Sequence, residues 1–112
     1  MVKKVGSNPL AKCLAETKDS FVLKLPASLP GEQAAHVADL FLTARSNPLS
    51  LDASAVERID TPCIQVLLSA ARLWREDGVA MSLAGESPVF SDNLTTLGLT
   101  SAQLEVGDFN HA

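Results

Sequence analysis

The stretch AVERIDTPCIQVLLSAARLWREDG, residues 55–78, contains the strongest helical pattern in this 112-residue chain. From Ile64 to Trp74 its apolar residues recur at spacings of three and four, the period of an α-helix that buries one face. Gly78 follows the last of these positions, as a glycine does just past the end of a helix. The pattern therefore predicts a helix over Thr61–Asp77.

The start of this helix combines a carboxylate, a hydroxyl, a proline and a thiol, from Asp60 to Cys63. With Thr61 as the N-cap, its hydroxyl accepts from free backbone N–H groups of the first turn. Pro62 then stands at the first helical position, where no donor is needed. Asp60 adds negative charge beside the positive end of the helix dipole. Helix capping thus accounts for the turn without assigning it a function.

The apolar surface of the predicted helix is wider than the arc of about 100° that a helix on a sheet needs. One stripe, which we expect to face the sheet, consists of Ile64, Leu67, Leu68 and Ala71. A second stripe on the flank consists of Cys63, Val66, Ala70 and Leu73. If the second stripe is exposed, it is a candidate docking surface, and if a neighbouring helix covers it, it is core.

The rest of the chain predicts strands that alternate with helices after an opening hairpin. The predicted strands are 11–16, 21–25, 49–53, 79–84 and 104–106, and the other predicted helices are 30–45 and 88–97. This order indicates an α/β fold with a partly parallel sheet. We expect one domain over 10–108, between a flexible N-terminal tail, 1–9, and a C-terminal tail, 109–112.

Composition limits the partners of the chain. A net charge of −4, a single Trp and no Tyr are unfavourable for nucleic-acid binding. Cys13 and Cys63 belong to no CxxC motif and have no nearby histidine, so they imply neither a zinc site nor a disulfide framework, and two free thiols suit a reducing compartment. No apolar run is long enough to span a bilayer. We expect a cytoplasmic protein without cofactor, metal, nucleic-acid partner or membrane insertion.

Signals for catalysis are also missing from the sequence. It contains no Gly-rich phosphate loop, no His/Glu pair at metal spacing and no nucleophile elbow. His36 and His111 read as packed or solvated residues, and Asp52 with Asp60 supplies too few ligands for a cation. Cys63 in a first helical turn could act as a redox sensor, but the neighbouring Asp60 opposes the thiolate. We expect that the protein is not an enzyme.

Several motifs in a fixed order carry a family resemblance. LDAS (51–54) ends a strand, VERID (56–60) leads to the hydroxyl residue and the apolar helix, and VAMSLAG (79–85) and Leu97-Gly98-Leu99 follow. This arrangement resembles the STAS domain, whose best-known members are bacterial anti-sigma-factor antagonists. The resemblance is clearest over 49–99. It implies a mixed sheet of four to five strands with helices packed mainly on one face, and a role in protein–protein switching.

The resemblance also implies a site. In phosphorylatable STAS proteins a partner kinase modifies the hydroxyl residue that Thr61 matches, with Asp60 as the preceding acid. The partner would be a kinase-like anti-sigma factor or a chemotaxis kinase. In another branch the STAS protein is a constitutive subunit of an ABC-type lipid-transport ATPase. Thr61-Pro62-Cys63 departs from the Ser-Ser-Gly or Ser-Ala-Gly that is usual in phosphorylated antagonists, so both alternatives stay open.

We therefore expect a monomer or weak dimer that binds a protein partner through this turn and the following helix. Thr61 is the candidate phosphoacceptor. The predicted partner-binding residues are Asp60, Thr61, Pro62, Cys63, Val66, Ala70 and Leu73.

Overall fold

A computed structural model describes residues 8–107 of the chain. The predicted α/β class is confirmed. The strands are β1 (Leu14–Glu16), β2 (Phe21–Lys24), β3 (Ser28–Leu29), β4 (Leu49–Ala53), β5 (Arg58–Ile59) and β6 (Met81–Glu86). The helices are α1 (Ala34–Ala44), α2 (Thr61–Asp77) and α3 (Pro88–Thr96), with short 3-10 helices at Ala11–Cys13, Gly31–Gln33 and Ser101–Leu104.

The main sheet has four strands in the order β1-β2-β4-β6. β1 runs antiparallel to β2, as the predicted hairpin requires, whereas β2, β4 and β6 are parallel. In the main sheet, α1 connects β2 to its neighbour β4, and α2 connects β4 to its neighbour β6, so both connections run in the same direction across the sheet. Because such crossovers are right-handed, they place both helices on the same face.

Alternation along the strands shows which face of the sheet is covered. Leu49, Leu51 and Ala53 of β4 are buried, while Ser50 and Asp52 between them are half-buried. The same alternation occurs in β2. One face of the sheet therefore belongs to the apolar core and the other is open, which is the arrangement that the family resemblance implied.

A second, two-stranded sheet was not predicted. β3 and β5 pair in parallel, with Leu29 opposite Ile59, and both side chains are buried. Strands of two residues carry too little periodicity to be recognised in a sequence. The pair brings the segment before α1 against the segment before α2, so it builds the surroundings of the Asp60–Cys63 turn.

Two predicted boundaries were wrong because local hydrogen bonds override them. Residues 11–13 form a 3-10 turn rather than a strand, since the Asn8 side chain accepts from the Leu10 N–H and its carbonyl from the Ala11 N–H. The predicted strand 79–84 begins only at Met81, because the Val79 N–H still donates to Trp74 O at the end of α2.

Other boundaries also differ from the prediction. Residues 101–104 form a 3-10 helix, which begins with a capping box at Thr100, so the predicted strand 104–106 is reduced to one bridge from Val106 to Met81. α1 begins at Ala34 rather than at Pro30, whose backbone is extended and precedes the Gly31–Gln33 turn.

Both predicted chain ends lie largely outside the described residues. Of the segment predicted as the N-terminal tail, the structure describes Asn8 and Pro9. Asn8 is buried and donates its amide to His36 O at 2.8 Å, so defined contacts of the fold begin within that segment.

Trp74 joins α2 to α1 at the end of the molecule opposite the Asp60–Cys63 turn. Its side chain is fully buried, and its indole N–H donates to Asn47 O at 2.8 Å. Its ring packs edge-on against the ring of Phe41, with the two ring centroids 5.9 Å apart. A buried indole usually has such a hydrogen-bond partner, and the aromatic pair adds to the packing of α1 on α2.

We predict that Trp74→Phe lowers the free energy of unfolding by about 1–3 kcal/mol, because it leaves a cavity and an unpaired Asn47 carbonyl. Urea unfolding followed by circular dichroism measures this. Leu42→Ala in α1 is the control, since Leu42 is 58% exposed and its truncation should cost under about 0.5 kcal/mol. Equal losses in the two variants would contradict this role for Trp74.

Candidate functional site

The start of α2 differs from the predicted capping arrangement. Asp60, not Thr61, is the N-cap: its backbone is extended, and its carbonyl accepts the first helical bonds from the N–H groups of Cys63 and Ile64. The prediction that the Thr61 hydroxyl caps the helix is therefore wrong. Thr61 is the first helical residue and Pro62 the second, where a missing N–H is still tolerated.

The Asp60 carboxylate links the two segments that meet here instead of capping α2. It accepts the Gly31 N–H at 2.9 Å and forms an ion pair with Arg58 at 3.2 Å. The Arg58 hydrogen bond, followed by the Gly31 hydrogen bond, lowers the pKa of Asp60. The carboxylate is thus ionised at neutral pH beside Thr61.

Close packing completes the junction between the two segments. A Cβ on Gly31 would approach Pro62 Cγ to 3.3 Å, so glycine allows the segment before α1 to touch the first turn of α2. The Cys63 thiol is buried and donates to Pro30 O at 3.4 Å. Burial raises the pKa of Cys63, and the negative charge of Asp60 raises it further. Cys63 therefore stays a thiol rather than a reactive thiolate.

Thr61 itself is exposed, and its hydroxyl makes no hydrogen bond to any residue between 8 and 107. Few backbone donors surround it. Pro62 has no N–H, and the Cys63 N–H already donates to Asp60 O at 3.0 Å. The first turn of α2 therefore presents a free hydroxyl with fewer N–H groups for an anion than most helix N-termini offer.

The flank stripe of α2 divides into a buried part and an accessible part. Cys63 and Ala70 are buried and belong to the core, at 0% and 5% exposure, whereas Val66 and Leu73 are half-buried. Neither alternative for this stripe holds for all of it. α1 covers one edge of the stripe and leaves the other open, which the sequence of α2 alone could not indicate.

The accessible part of the stripe lines a groove between α1 and α2 with a volume of about 310 Å³. The α1–α2 groove begins at Pro62, next to Thr61, and continues past Val66 to Leu73; Phe41 and Leu42 form its other wall. Gln65 and Ser69 are its polar side chains, and every lining residue is uncharged. An exposed hydroxyl and an apolar groove thus form one continuous surface.

The structure brings together most of the predicted site. Asp60, Thr61 and Pro62 lie at one end of the groove, and Val66 and Leu73 lie along it. The α1 wall of the groove was not predicted; its signal in the sequence is the apolar Leu42, which shares a helix face with Ala38 and Phe41. Gly31 was not predicted either, since its contact with Asp60 depends on the short β3–β5 pair.

Asp52 and Ser54, which belong to the Asp-x-Ser motif, have a structural role at the end of β4. The Asp52 carboxylate accepts from the Ser54 hydroxyl at 2.6 Å and from its N–H at 2.9 Å, which lowers the pKa of Asp52. Gly85 lies against this turn, where a Cβ would be 3.4 Å from Asp52 Oδ1. Among the described residues, no group of three or more His, Cys, Asp or Glu side chains is arranged to hold a metal ion.

A family model described as "Mlab, STAS domain" matches residues 14–105. The chain belongs to the STAS family. The resemblance carried by the motifs is confirmed, and a general role in regulation or protein interaction follows from it. No curated protein and no solved structure matches the chain significantly. Within 8–107, no helix of this STAS domain has both the length and the apolar character needed to cross a bilayer.

The corrected cap assignment predicts a contrast between two hydroxyl residues. Ser87 is the N-cap of α3: its hydroxyl accepts the Phe90 N–H and donates to Val56 O at 2.6 Å. Ser87→Ala should lower the free energy of unfolding by about 1–2 kcal/mol. Thr61→Ala should change it by less than about 0.5 kcal/mol. Urea titration of both variants tests this, and a loss for Thr61→Ala as large as that for Ser87→Ala would restore the capping role.

The lowered pKa of Asp60 predicts a dependence of stability on pH. A carboxylate with a folded pKa below its unfolded value stabilises the fold above the unfolded value, about 3.9, and this stabilisation is lost as the pH falls through the folded pKa. The stability difference between wild type and Asp60→Asn should therefore be largest near pH 7 and shrink below about pH 4. A difference that is equal at about pH 7 and pH 3 would contradict this assignment.

Proposed function

We propose that this STAS domain is a non-enzymatic cytoplasmic regulatory protein that binds a protein partner through the Thr61 turn, residues 60–63, and the α1–α2 groove. The observation that carries the proposal is the continuity of two features. The exposed Thr61 hydroxyl, which no described residue engages, adjoins an open groove lined by Val66 and Leu73. A partner that covers the groove also covers Thr61.

The first candidate partner is a signalling protein, such as a kinase-like anti-sigma factor or a chemotaxis kinase, with Thr61 as the phosphoacceptor. Exposure of Thr61 supports this, because a kinase needs access to the hydroxyl. A phosphate would add about −1.5 to −2 charges next to the ionised Asp60 carboxylate. It would hydrate the mouth of an apolar groove, so phosphorylation would weaken docking.

The second candidate partner is an ABC-type lipid-transport ATPase. This STAS domain would then be a constitutive subunit bound to the ATPase, and Thr61 would stay unmodified. The shortage of free donors around Thr61 favours this alternative. Pro62 lacks an N–H and the Cys63 N–H is occupied, so the turn would stabilise a phosphate poorly. The same surface would then act as a permanent interface.

An affinity pull-down from the native cell extract tests the shared part of the proposal. We expect Val66→Asp to reduce recovery of the wild-type partner at least about tenfold, because it places a charge in the apolar groove. Val89→Asp is the matched control: Val89 is 39% exposed on α3, and the same change there should leave recovery unaltered. Circular dichroism melting shows that both variants are folded. Equal recovery by wild type and folded Val66→Asp would contradict the proposal.

The same extract distinguishes the two candidate partners. Mass spectrometry identifies the captured protein and the modification state of Thr61 in the recovered bait. A signalling kinase that is captured by wild type and Thr61→Val but lost with Thr61→Asp supports the phosphoswitch. A transporter ATPase held by all three, with Thr61 unmodified, supports the constitutive subunit.

A further inference from the structure

The shape of the α1–α2 groove restricts what can occupy it. The groove follows α2 from Pro62 to Leu73, a rise of about 16 Å at 1.5 Å per residue, or about three turns of a helix. Its floor is apolar and its walls are two helices that pack against each other. An amphipathic helix places apolar residues of successive turns into such a groove.

The rim of the groove carries more negative than positive charge. Asp39 lies three residues before Leu42 in α1, and Glu76 lies three residues after Leu73 in α2, so each shares a helix face with a groove residue. Both are exposed. Arg72, four residues before Glu76, is an exposed cation on the same side of α2. The exposed Arg75 lies two residues after Leu73, about 200° round the helix, and so faces away from the groove.

The ends of the groove continue this pattern. At the Pro62 end, Asp60 is paired with Arg58, and exposed Glu32 follows the glycine that packs against Pro62. At the Leu73 end, Asp77 is paired with Arg45 at 3.1 Å. Among the described residues, the carboxylates of Glu32, Asp39 and Glu76 around the groove form no ion pair, and Arg72 is the one arginine on the groove side of α2 that forms none either.

We propose that the occupant of the groove is a basic amphipathic helix of the protein partner; this rests on the proposed function. Its apolar residues would contact Val66, Leu73 and Leu42, while lysine or arginine on its flanks would reach Asp39 and Glu76. Long basic side chains suit this position, since their stems cover apolar surface and their charges stay in water. Opposite charges on the rim also speed encounter and select the partner.

A second copy of this chain fits the groove less well. A two-fold interface would bring the same patch of each copy together, so the acidic rims would face one another. Like charges opposed across an interface disfavour association. The charge distribution therefore favours a basic partner over self-association.

Two synthetic helical peptides of about 15 residues provide the test. Both carry leucines at helical spacing on one face; one has lysines on its flanks, and its twin has glutamates at the same positions. We expect the lysine peptide to bind the full chain with a Kd at least about tenfold lower than that of its twin at low salt, and this preference to fall as salt is added. Isothermal titration calorimetry measures the Kd, and amide chemical shifts locate the peptide.

Variants assign the binding to the groove and its rim. Val66→Asp should abolish binding of the lysine peptide and Val89→Asp should not, while Glu76→Lys should reduce the preference for lysine. Equal binding of both peptides, no binding of either, or binding that survives Val66→Asp would overturn the proposal. A dimer in sedimentation that Val66→Asp dissociates would also overturn it, by assigning the groove to a second copy.

Failure of this inference is separable from failure of the proposed function. If the peptides fail but Val66→Asp still loses the native partner in the pull-down, the groove is the docking site and only its basic helical occupant is wrong. If Val66→Asp retains the native partner, the proposed function itself is wrong.

Discussion

Two right-handed crossovers that step the same way across the sheet determine most of this structure. They place α1 and α2 side by side on one face, and they bring the carboxyl ends of β2 and β4 to the same edge. The segments that leave these strands meet there and pair as β3 and β5. The ionised Asp60 carboxylate then holds the junction by accepting the Gly31 N–H. The position of Thr61 depends on this junction, because α2 begins one residue after Asp60.

The groove forms because α1 and α2 are in close contact on their inner sides but not at the surface. Phe41 meets Trp74 near one end and Ala70 is buried between the helices, so the helices are in close contact on their inner sides. Towards solvent, Leu42 and Leu73 lie too far out to be covered, and the surface between them remains open. Exposure of several neighbouring apolar side chains is unfavourable in water, and such patches in small proteins often mark interaction sites.

Sequence patterns predicted those features that depend on neighbouring residues. The period of α2, its end at Gly78 and the strand at 49–53 were predicted from local patterns, and all three are observed. The N-cap was misassigned because Thr61 and Asp60 are both good caps by type, and only the bond from Cys63 N to Asp60 O decides between them. The groove could not be predicted from α2 alone, since half of it belongs to α1. The contact of Gly31 with Asp60, across a separation of 29 residues, left no periodic signal.

The division of the flank stripe separates core residues from residues of the proposed docking surface within one helix. Cys63 and Ala70 are buried, so changes there act on the core, whereas Val66 and Leu73 are partly open and we expect their polar substitution to act on the proposed docking. Thr61 belongs to the second group, because its hydroxyl has no partner among the described residues. A charge added at Thr61 therefore costs the fold little, and it stands at the mouth of the groove beside Asp60. Such a charge would therefore change the affinity of the groove for a binding partner more than the stability of the fold. A site that regulates binding without unfolding the protein requires this.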